Sequence, residues 1–442
     1  MNSEFSAAMR RMLKEEYAAY EAALSRKPER GFRINTLKID QETFLKNCAW
    51  EYEKSPYAAN GYYLKTEITA GTDPAWHAGL YYMQEPSASA AVTVMAPRIG
   101  AKVLDLCAAP GSKSTQIAEM LGNDGLLVVN EINPKRAQIL LENIIRHGCT
   151  NAVVLNASPR DIAANMPGVF DYVLCDAPCS GEGMFRKEEE ALRQWSPSLV
   201  AQCASVQKEI LPYACQCLKP GGILLYSTCT FNLEENEKQI AGLLEEHSEM
   251  GVDMAETYPF GRRGFACGHE TEKAVRIFPM DRGEGHFIIR LRKSDGVAGY
   301  LKLMKSDPLA KAVVREIEAM LKEPFPYYFR HGEKLYGGTS PFVDCGRVRL
   351  LRHQVLLGEM KKNGFVPDHH LFMTGRFART ENLDDEEVRL VLRGHELPRA
   401  AERGWTALTW HDAVIAGAKA DGKMLKNKYP ASLRMRKQDE SL

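Results

Sequence analysis

The sequence predicts an α/β protein built around a doubly wound, Rossmann-like parallel sheet. Three observations predict it. Residues 103–115, VLDLCAAPGSKST, read as a buried strand, a tight turn of small residues and the start of a helix. From about residue 92, strand-like and helix-like stretches alternate, as parallel crossover units require. An acid, Glu131, ends the second such strand 26 residues after Asp105, about where these folds place a carboxylate on ribose hydroxyls. The flanking text adds a small N-terminal α+β domain before the sheet and a further module after it. The expected divisions are 1–91, 92–293, 294–380 and 381–442.

Taken in order, residues 3–25 read as an amphipathic helix, with Phe5, Met9, Leu13, Tyr17, Tyr20 and Leu24 recurring every three or four positions. Pro28 and Gly31 end it. Arg33-Ile34-Asn35-Thr36-Leu37-Lys38 follows as a short alternating strand with basic positions, and residues 62–82 are rich in Tyr. Interleaved aromatic and basic residues suit base stacking, and equally suit a packed core face. The parallel strands are then expected at 103–106, 126–129, 153–155, 172–175 and 223–226, with helices over 137–146 and about 197–218. Lys219-Pro220-Gly221-Gly222 should break the chain before the fifth strand, and residues 286–292 alternate like a late one. Composition changes near residues 293–296, a linker, and Asp384-Asp385-Glu386-Glu387 should cap a helix, acids being favourable at its N-terminus. Residues 405–415 read as short strands. The tract 419–437 holds seven Lys and Arg (419, 423, 426, 428, 434, 436 and 437) against Asp421. There is no internal repeat and no low-complexity segment.

Composition narrows the class. The chain has 442 residues, 45% of them apolar and 26% charged, ordinary values for a soluble protein. Its 57 basic and 57 acidic residues balance, so any nucleic-acid surface must be local. Eleven scattered cysteines with no CxxC pair and no zinc-like spacing predict reduced thiols and no metal site. The charged N-terminus lacks the apolar core of a secretion signal, and no apolar run approaches 18 residues, so a cytoplasmic protein without a membrane span is expected.

Candidate chemistry gathers where strands end. In a doubly wound sheet the carboxyl ends of the strands face one crevice, where ligands bind. The turn after the first strand is neither of the familiar phosphate cradles. A P-loop needs Gly directly before its Lys, where Ser112 stands, and a dinucleotide fingerprint needs three glycines, where only Gly111 is present. A ligand without a pyrophosphate, such as S-adenosylmethionine, fits what remains. The fourth strand runs into Asp176-Ala177-Pro178-Cys179, and the fifth into Ser227-Thr228-Cys229. A lone strand-end Cys is usually a small buried hydrophobe. Two cysteines, an Asp and a cofactor loop on one crevice instead suit covalent catalysis, in which a thiolate activates an electron-poor pyrimidine. Spacing does not choose between the two thiols. For RNA contact the candidates are Arg33 and Lys38 in the N-terminal strand and Lys423, Lys426, Lys428 and Arg434 in the basic tract, although charge runs are usually solvated faces.

The motifs RINTLK at 33–38, QEPS at 84–87, LDLCAAPGSKS at 104–114, DAPCSGEGMFRK at 176–187, YSTCTF at 226–231 and KNKYP at 426–430 resemble the RNA cytosine-5 methyltransferases of the NOL1/NOP2/Sun group. The likeness is greatest to the bacterial RsmF type, which acts on small-subunit (16S) ribosomal RNA. The resemblance implies a Rossmann-like S-adenosylmethionine-dependent domain, a PUA-like RNA-binding module at 381–442, ribosomal RNA or the small subunit as partner, and a monomer. It implies that Cys229 is the nucleophile, that Cys179 helps release the product, and that Asp176 contacts the base near ring nitrogen 3, beside the cofactor. Cys107, Ala108, Ala109, Pro110, Gly111, Ser112 and Lys113 would hold the methionine end of the cofactor, and Glu131 its ribose. On the adenine side the family often has Asp where this chain has Ser158. The alternatives are the same chemistry on transfer RNA and an RNA-binding assembly factor without catalysis. Intact thiols, Asp176 and the cofactor loop weigh against the latter.

Overall fold

The computed structural model describes residues 3–307, 309–362 and 364–435. Arg436 and Lys437 of the basic tract lie outside the described residues. Four antiparallel strands come first: β1 (Gly31–Ile34), β2 (Tyr52–Lys54), β3 (Gly61–Leu64) and β4 (Tyr81–Met83), in the order β2-β3-β1-β4. The central sheet follows with β5 (Lys102–Asp105), β6 (Leu126–Asn130), β7 (Ala152–Asn156), β8 (Phe170–Asp176) and β9 (Leu218–Thr228), all parallel. After them come β10 (Met250–Val252), β11 (Arg262–Arg263), β12 (Val275–Ile277) and β13 (His286–Lys293), the last antiparallel to β9.

The chain winds outward through β5, β6 and β7, then returns to place β8 on the other side of β5. That reversal opens a crevice outside the carboxyl ends of β5 and β8. The strands form because both faces are covered, so alternate apolar residues each find a layer. Leu104, Val128, Val153 and Val173 pack under the helices Pro159–Asn165, Pro197–Cys217 and Glu237–Glu246. Val103, Leu127, Val154 and Leu174 pack under Ala90–Met95, Ser112–Leu121 and Pro134–His147. The last helix shows local chemistry setting its limits: Asn133 accepts from the N–H groups of Lys135 and Arg136, Pro134 takes the first turn, and Gly148 ends it at φ 78°. The Lys219-Pro220-Gly221-Gly222 run does not separate helix from strand. It lies inside β9, where pairing with β8 passes from Phe170↔Leu218 directly to Tyr172↔Ile223.

Beyond the central domain, β14 (Lys302–Leu303) pairs with β17 (Val343–Asp344), and β15 (Tyr327–His331) and β16 (Lys334–Gly338) begin a four-stranded sheet. β19 (Val355–Lys361) and β20 (Gly364–Pro367) complete it. Between β17 and β19, β18 (Arg349–His353) leaves to pair antiparallel with β7, so the segment read as interdomain adds a strand to the central sheet. The C-terminal sheet contains β21 (Thr380–Asn382), β22 (Leu397–Pro398), β23 (Gly404–Trp410), β24 (Ala413–Ala420) and β25 (Met424–Asn427). The helix Asp385–Leu392 in this module begins as expected, with Asp384 and Glu387 forming a reciprocal cap. The N-terminal and C-terminal sheets share one core, in which Phe32, Ile34, Tyr62 and Tyr81 meet Val388, Leu408, Ile415 and Leu425. Among the described residues no helix is long and apolar enough to cross a membrane.

The N-terminal segment departs most from expectation. β1 ends at Ile34 and is buried at all four positions. Tyr57, Tyr62, Tyr63, Tyr81 and Tyr82 are core residues, not a stacking surface. Arg33, a candidate RNA contact, is 0% exposed. Its guanidinium donates 3.0 Å bonds to both oxygens of Glu119, and others to Thr115 Oγ1, the Ser112 carbonyl and Gln84 Oε1. Glu119 also accepts from Asn60 Nδ2 at 2.7 Å and lies 2.7 Å from Nε2 of His147, whose pKa burial lowers to about 4. Lys38 is likewise turned inward: its ammonium donates to the carbonyls of Ala78 (2.7 Å) and Arg146 (2.8 Å), and burial lowers its pKa to about 7. Neither residue is available to a phosphate.

Removing one partner of a buried ion pair strands the other, at a cost of about 3–5 kcal/mol. Arg33→Met should therefore lower the urea midpoint of unfolding markedly. An unchanged midpoint would show that the pair contributes little.

Candidate active site

Five strand ends build the site. The loop after β5 turns through Gly111, at φ 112°, into the helix Ser112–Leu121, whose N-terminus has no side-chain cap. Its first N–H groups therefore have no side-chain acceptor within the cap. Glu131 follows β6, Ser158 follows β7, Asp176 ends β8 with Ala177 to Cys179 after it, and Cys229 follows β9. Cys107, Ala109, Glu131, Ser158, Asp176, Cys179 and Cys229 all line one cavity of about 470 Å³. Ala108, Pro110, Gly111 and Ser112 shape the turn without lining it, while Lys113 reaches its floor through Asp176.

The two thiols meet at 3.3 Å, Sγ to Sγ, although 50 residues separate them in sequence. The contact with Cys229, followed by burial, pushes the Cys179 thiol well above its ordinary pKa, so Cys179 stays protonated near neutrality. Their loops are held from beneath. Gln207 Nε2 donates to the Pro178 carbonyl at 2.9 Å, and the N–H of Gly183 donates to the Cys229 carbonyl at 2.9 Å. Buried Glu235 accepts from the Ser180 N–H (2.9 Å), Gln207 Nε2 (2.9 Å) and Asn232 Nδ2 (2.6 Å), which ties both cysteine loops to one carboxylate.

Asp176 is fixed at both oxygens: Ser227 Oγ donates to Oδ1 and Lys113 Nζ to Oδ2, each at 2.7 Å. With its side chain 31% exposed, it still faces the cavity. Burial opposes the charge on Lys113, but the Asp176 carboxylate outweighs it and holds the ammonium above its ordinary pKa. Asp105 lies behind, fully buried. Burial raises its carboxyl to about 7, and Ser114 Oγ donates to it at 2.6 Å. Glu131, 3% exposed, accepts from the Asn133 N–H at 2.8 Å and faces Arg136 at 3.4 Å. Ser158 caps the helix Pro159–Asn165, accepting from the Asp161 N–H at 3.1 Å and donating to that residue's carboxylate at 2.7 Å.

Residues 1–86 match the N-terminal domain of 16S rRNA methyltransferase RsmF, residues 92–292 match 16S rRNA methyltransferase RsmB/F, and residues 379–435 match the methyltransferase RsmF PUA domain. Ribosomal RNA small subunit methyltransferase F of Shewanella piezotolerans is 31% identical over 95% of this chain and 93% of its own. The chain belongs to the RsmF family. The Klebsiella pneumoniae member is 32% identical over 93% of this chain and 91% of its own. Among solved structures, a methyltransferase homolog from Pyrococcus horikoshii is 28% identical, with a TM-score of 0.58 over 66% of this chain and 95% of that one. NSun6 from Pyrococcus horikoshii, crystallised with SFG, shares the fold at 21% identity and a TM-score of 0.57, over 67% of this chain and 99% of that one.

RsmF-family enzymes are S-adenosylmethionine-dependent, and the cavity suits that group: the buried acid Glu131 and the small residues Cys107 and Ala109 of the loop after β5 line one space. The RNA candidates lie elsewhere. Lys423, Lys426, Lys428 and Arg434 are exposed in the C-terminal module, with Lys426 held by Asp421 at 3.2 Å. Gln207, Glu235 and Asn130 lie outside the motifs of the sequence, and Ser227 stands in one with no role assigned to it. Asn130 donates to the carbonyls of Leu106 (3.1 Å) and Ala157 (3.0 Å) and so locks three strand ends together. The one sequence signal for it is a polar residue closing an apolar strand run.

Proposed function

We propose that this chain methylates carbon 5 of cytosine in small-subunit (16S) ribosomal RNA, with Cys229 as nucleophile. The observation that carries the reading is the thiol pair at 3.3 Å beside a carboxylate pinned by an ammonium. Carbon 5 of a pyrimidine is a poor nucleophile until a thiolate adds at carbon 6. Cys229 forms that carbon–sulfur bond, and the electron pair of the ring double bond moves toward carbon 5. Asp176, held by Lys113 and Ser227, contacts the base near nitrogen 3. S-adenosylmethionine, when bound, supplies the sulfonium methyl group that carbon 5 acquires. The loop of Cys107, Ala108, Ala109, Pro110, Gly111, Ser112 and Lys113 would hold its methionine end, Glu131 its ribose and Ser158 its adenine side. Solvent then takes the proton from carbon 5, and the electron pair of that carbon–hydrogen bond restores the double bond. The carbon–sulfur bond breaks with its electron pair returning to Cys229, and Cys179 assists this release. A stacked base does not reach these thiols, so the target flips out or lies in an unfolded stretch. The enzyme acts as a cytoplasmic monomer.

Cys229→Ala should abolish methyl transfer to 16S RNA while leaving cofactor binding nearly intact. Cys179→Ala should accumulate a protein–RNA adduct that survives denaturation. Turnover retained in Cys229→Ala would move the nucleophile to Cys179.

Hydrogen bonds to a charged acceptor are worth about 1.5–3 kcal/mol each. Glu131→Ala should therefore weaken S-adenosylmethionine binding at least about tenfold by calorimetry, and unchanged affinity would make Glu131 a bystander. Ser158→Asp keeps a helix cap and should tighten binding if this position faces the adenine side.

A further inference from the structure

The C-terminal sheet carries a row of side chains that the catalytic cavity does not use. Trp405 on β23 stands opposite Lys419 on β24, and Lys419 opposite Lys426 on β25. Directly opposed residues share a face, so all three project from the same side. Two lysines placed this way repel, a cost that packing does not require. Lys426 is relieved by Asp421 at 3.2 Å. The Lys419 ammonium lies instead 5.5 Å from the centre of the Trp405 ring. Among the described residues no carboxylate pairs with Lys419 or Lys428.

Next to this row the face is closed. A Cβ at Gly417 would fall 2.2 Å from the Phe372 ring, so the helix His369–Met373 lies hard against the strand there. At the rim a groove remains, lined by Asp368, His369, Phe372, Trp405, Lys419 and Lys428, with a volume of about 510 Å³. Its one acid is engaged: Asp368 accepts from the His370 N–H at 2.9 Å and faces Arg352 at 3.9 Å. His369 is kept neutral, burial lowering its pKa to about 3, and its buried Nδ1 has no hydrogen-bond partner. The groove shares no lining residue with the cavity of Cys179 and Cys229.

We propose that this groove binds one nucleotide of a single-stranded RNA segment, its base stacked on Trp405 and its phosphates on Lys419 and Lys428. The proposal rests on the reading that the enzyme works on RNA, and adds a subsite separate from the target cytosine. Two lysines that no carboxylate pairs with, lining one groove with an indole, match the chemistry of a nucleotide, which offers a π-face and a phosphate together. An acidic peptide satisfies only the lysines.

The test uses the full-length protein and a fluorescent single-stranded oligoribonucleotide, with affinity read by anisotropy across a salt series. Trp405→Ala should weaken binding about tenfold, within the range found for base–aromatic stacking. Trp405→Phe should keep most of the affinity. Lys419→Gln with Lys428→Gln should flatten the dependence of log affinity on log salt by about 1.4, at about 0.7 per phosphate contact. S-adenosylmethionine affinity should stay at the wild-type value in every variant. Wild-type affinity and slope in both Trp405→Ala and the double lysine variant, with methyl transfer intact, would overturn the groove while leaving the enzyme's function standing. Displacement of the oligonucleotide by poly-glutamate that depends on the two lysines but not on Trp405 would also overturn it. Failure of the wild-type protein to methylate any RNA would instead strike at the functional reading itself.

Discussion

A guanidinium that water does not reach holds the N-terminal sheet to the catalytic domain. Arg33 comes from β1, and every acceptor it meets except Gln84 Oε1 belongs to the helix Ser112–Leu121. That helix grows out of the cofactor loop, so the contact fixes both its first turn, at Ser112 and Thr115, and its last, at Glu119. A charge so placed is stable only if its donors are occupied, and four residues of the protein occupy them. The geometry of the fork matters as much as the charge. A lysine ammonium could not span the Glu119 carboxylate and the Ser112 carbonyl from one point.

From this brace the site follows by topology. The return of the chain from β7 to β8 sets the Asp176 loop beside the Cys107 loop, and β9 brings Cys229 against Cys179. Each group is then pinned by a neighbour's hydrogen bonds: Ser227 on Asp176, Gln207 and Glu235 under the thiols, Asn130 across three strand ends. Preorganisation of this kind spares the reaction from reordering its own groups as it proceeds.

What could be read from the sequence follows burial. The central strands were legible because a strand covered on both faces is written as an unbroken apolar run, and the helix near 385 because its cap is local. Arg33 and Lys38 were misread, and the tyrosines stayed open between a stacking surface and a core, because side-chain type does not disclose its partner. Glu119 lies 86 positions from Arg33, and the same arginine would look identical on a wet surface. Ser227, Glu235 and Gln207 were hidden for a related reason: they act on loops brought near only by the fold. The basic tract shows the converse, since the count of charges was visible but the strand register that sets Trp405 beside Lys419 was not.

The late arrival of β18 bears on how the protein is made. β7 is the outer strand of the parallel part of the sheet, and its partner lies far along the chain, with Arg349 bonded to Asn156 across 193 positions. At synthesis rates of about 5–20 residues per second, that edge stays bare on the ribosome for roughly 10–40 s. A naked edge is a template for any passing strand. Until residue 353 has emerged, the outer edge of β7 has no strand from this chain to pair with.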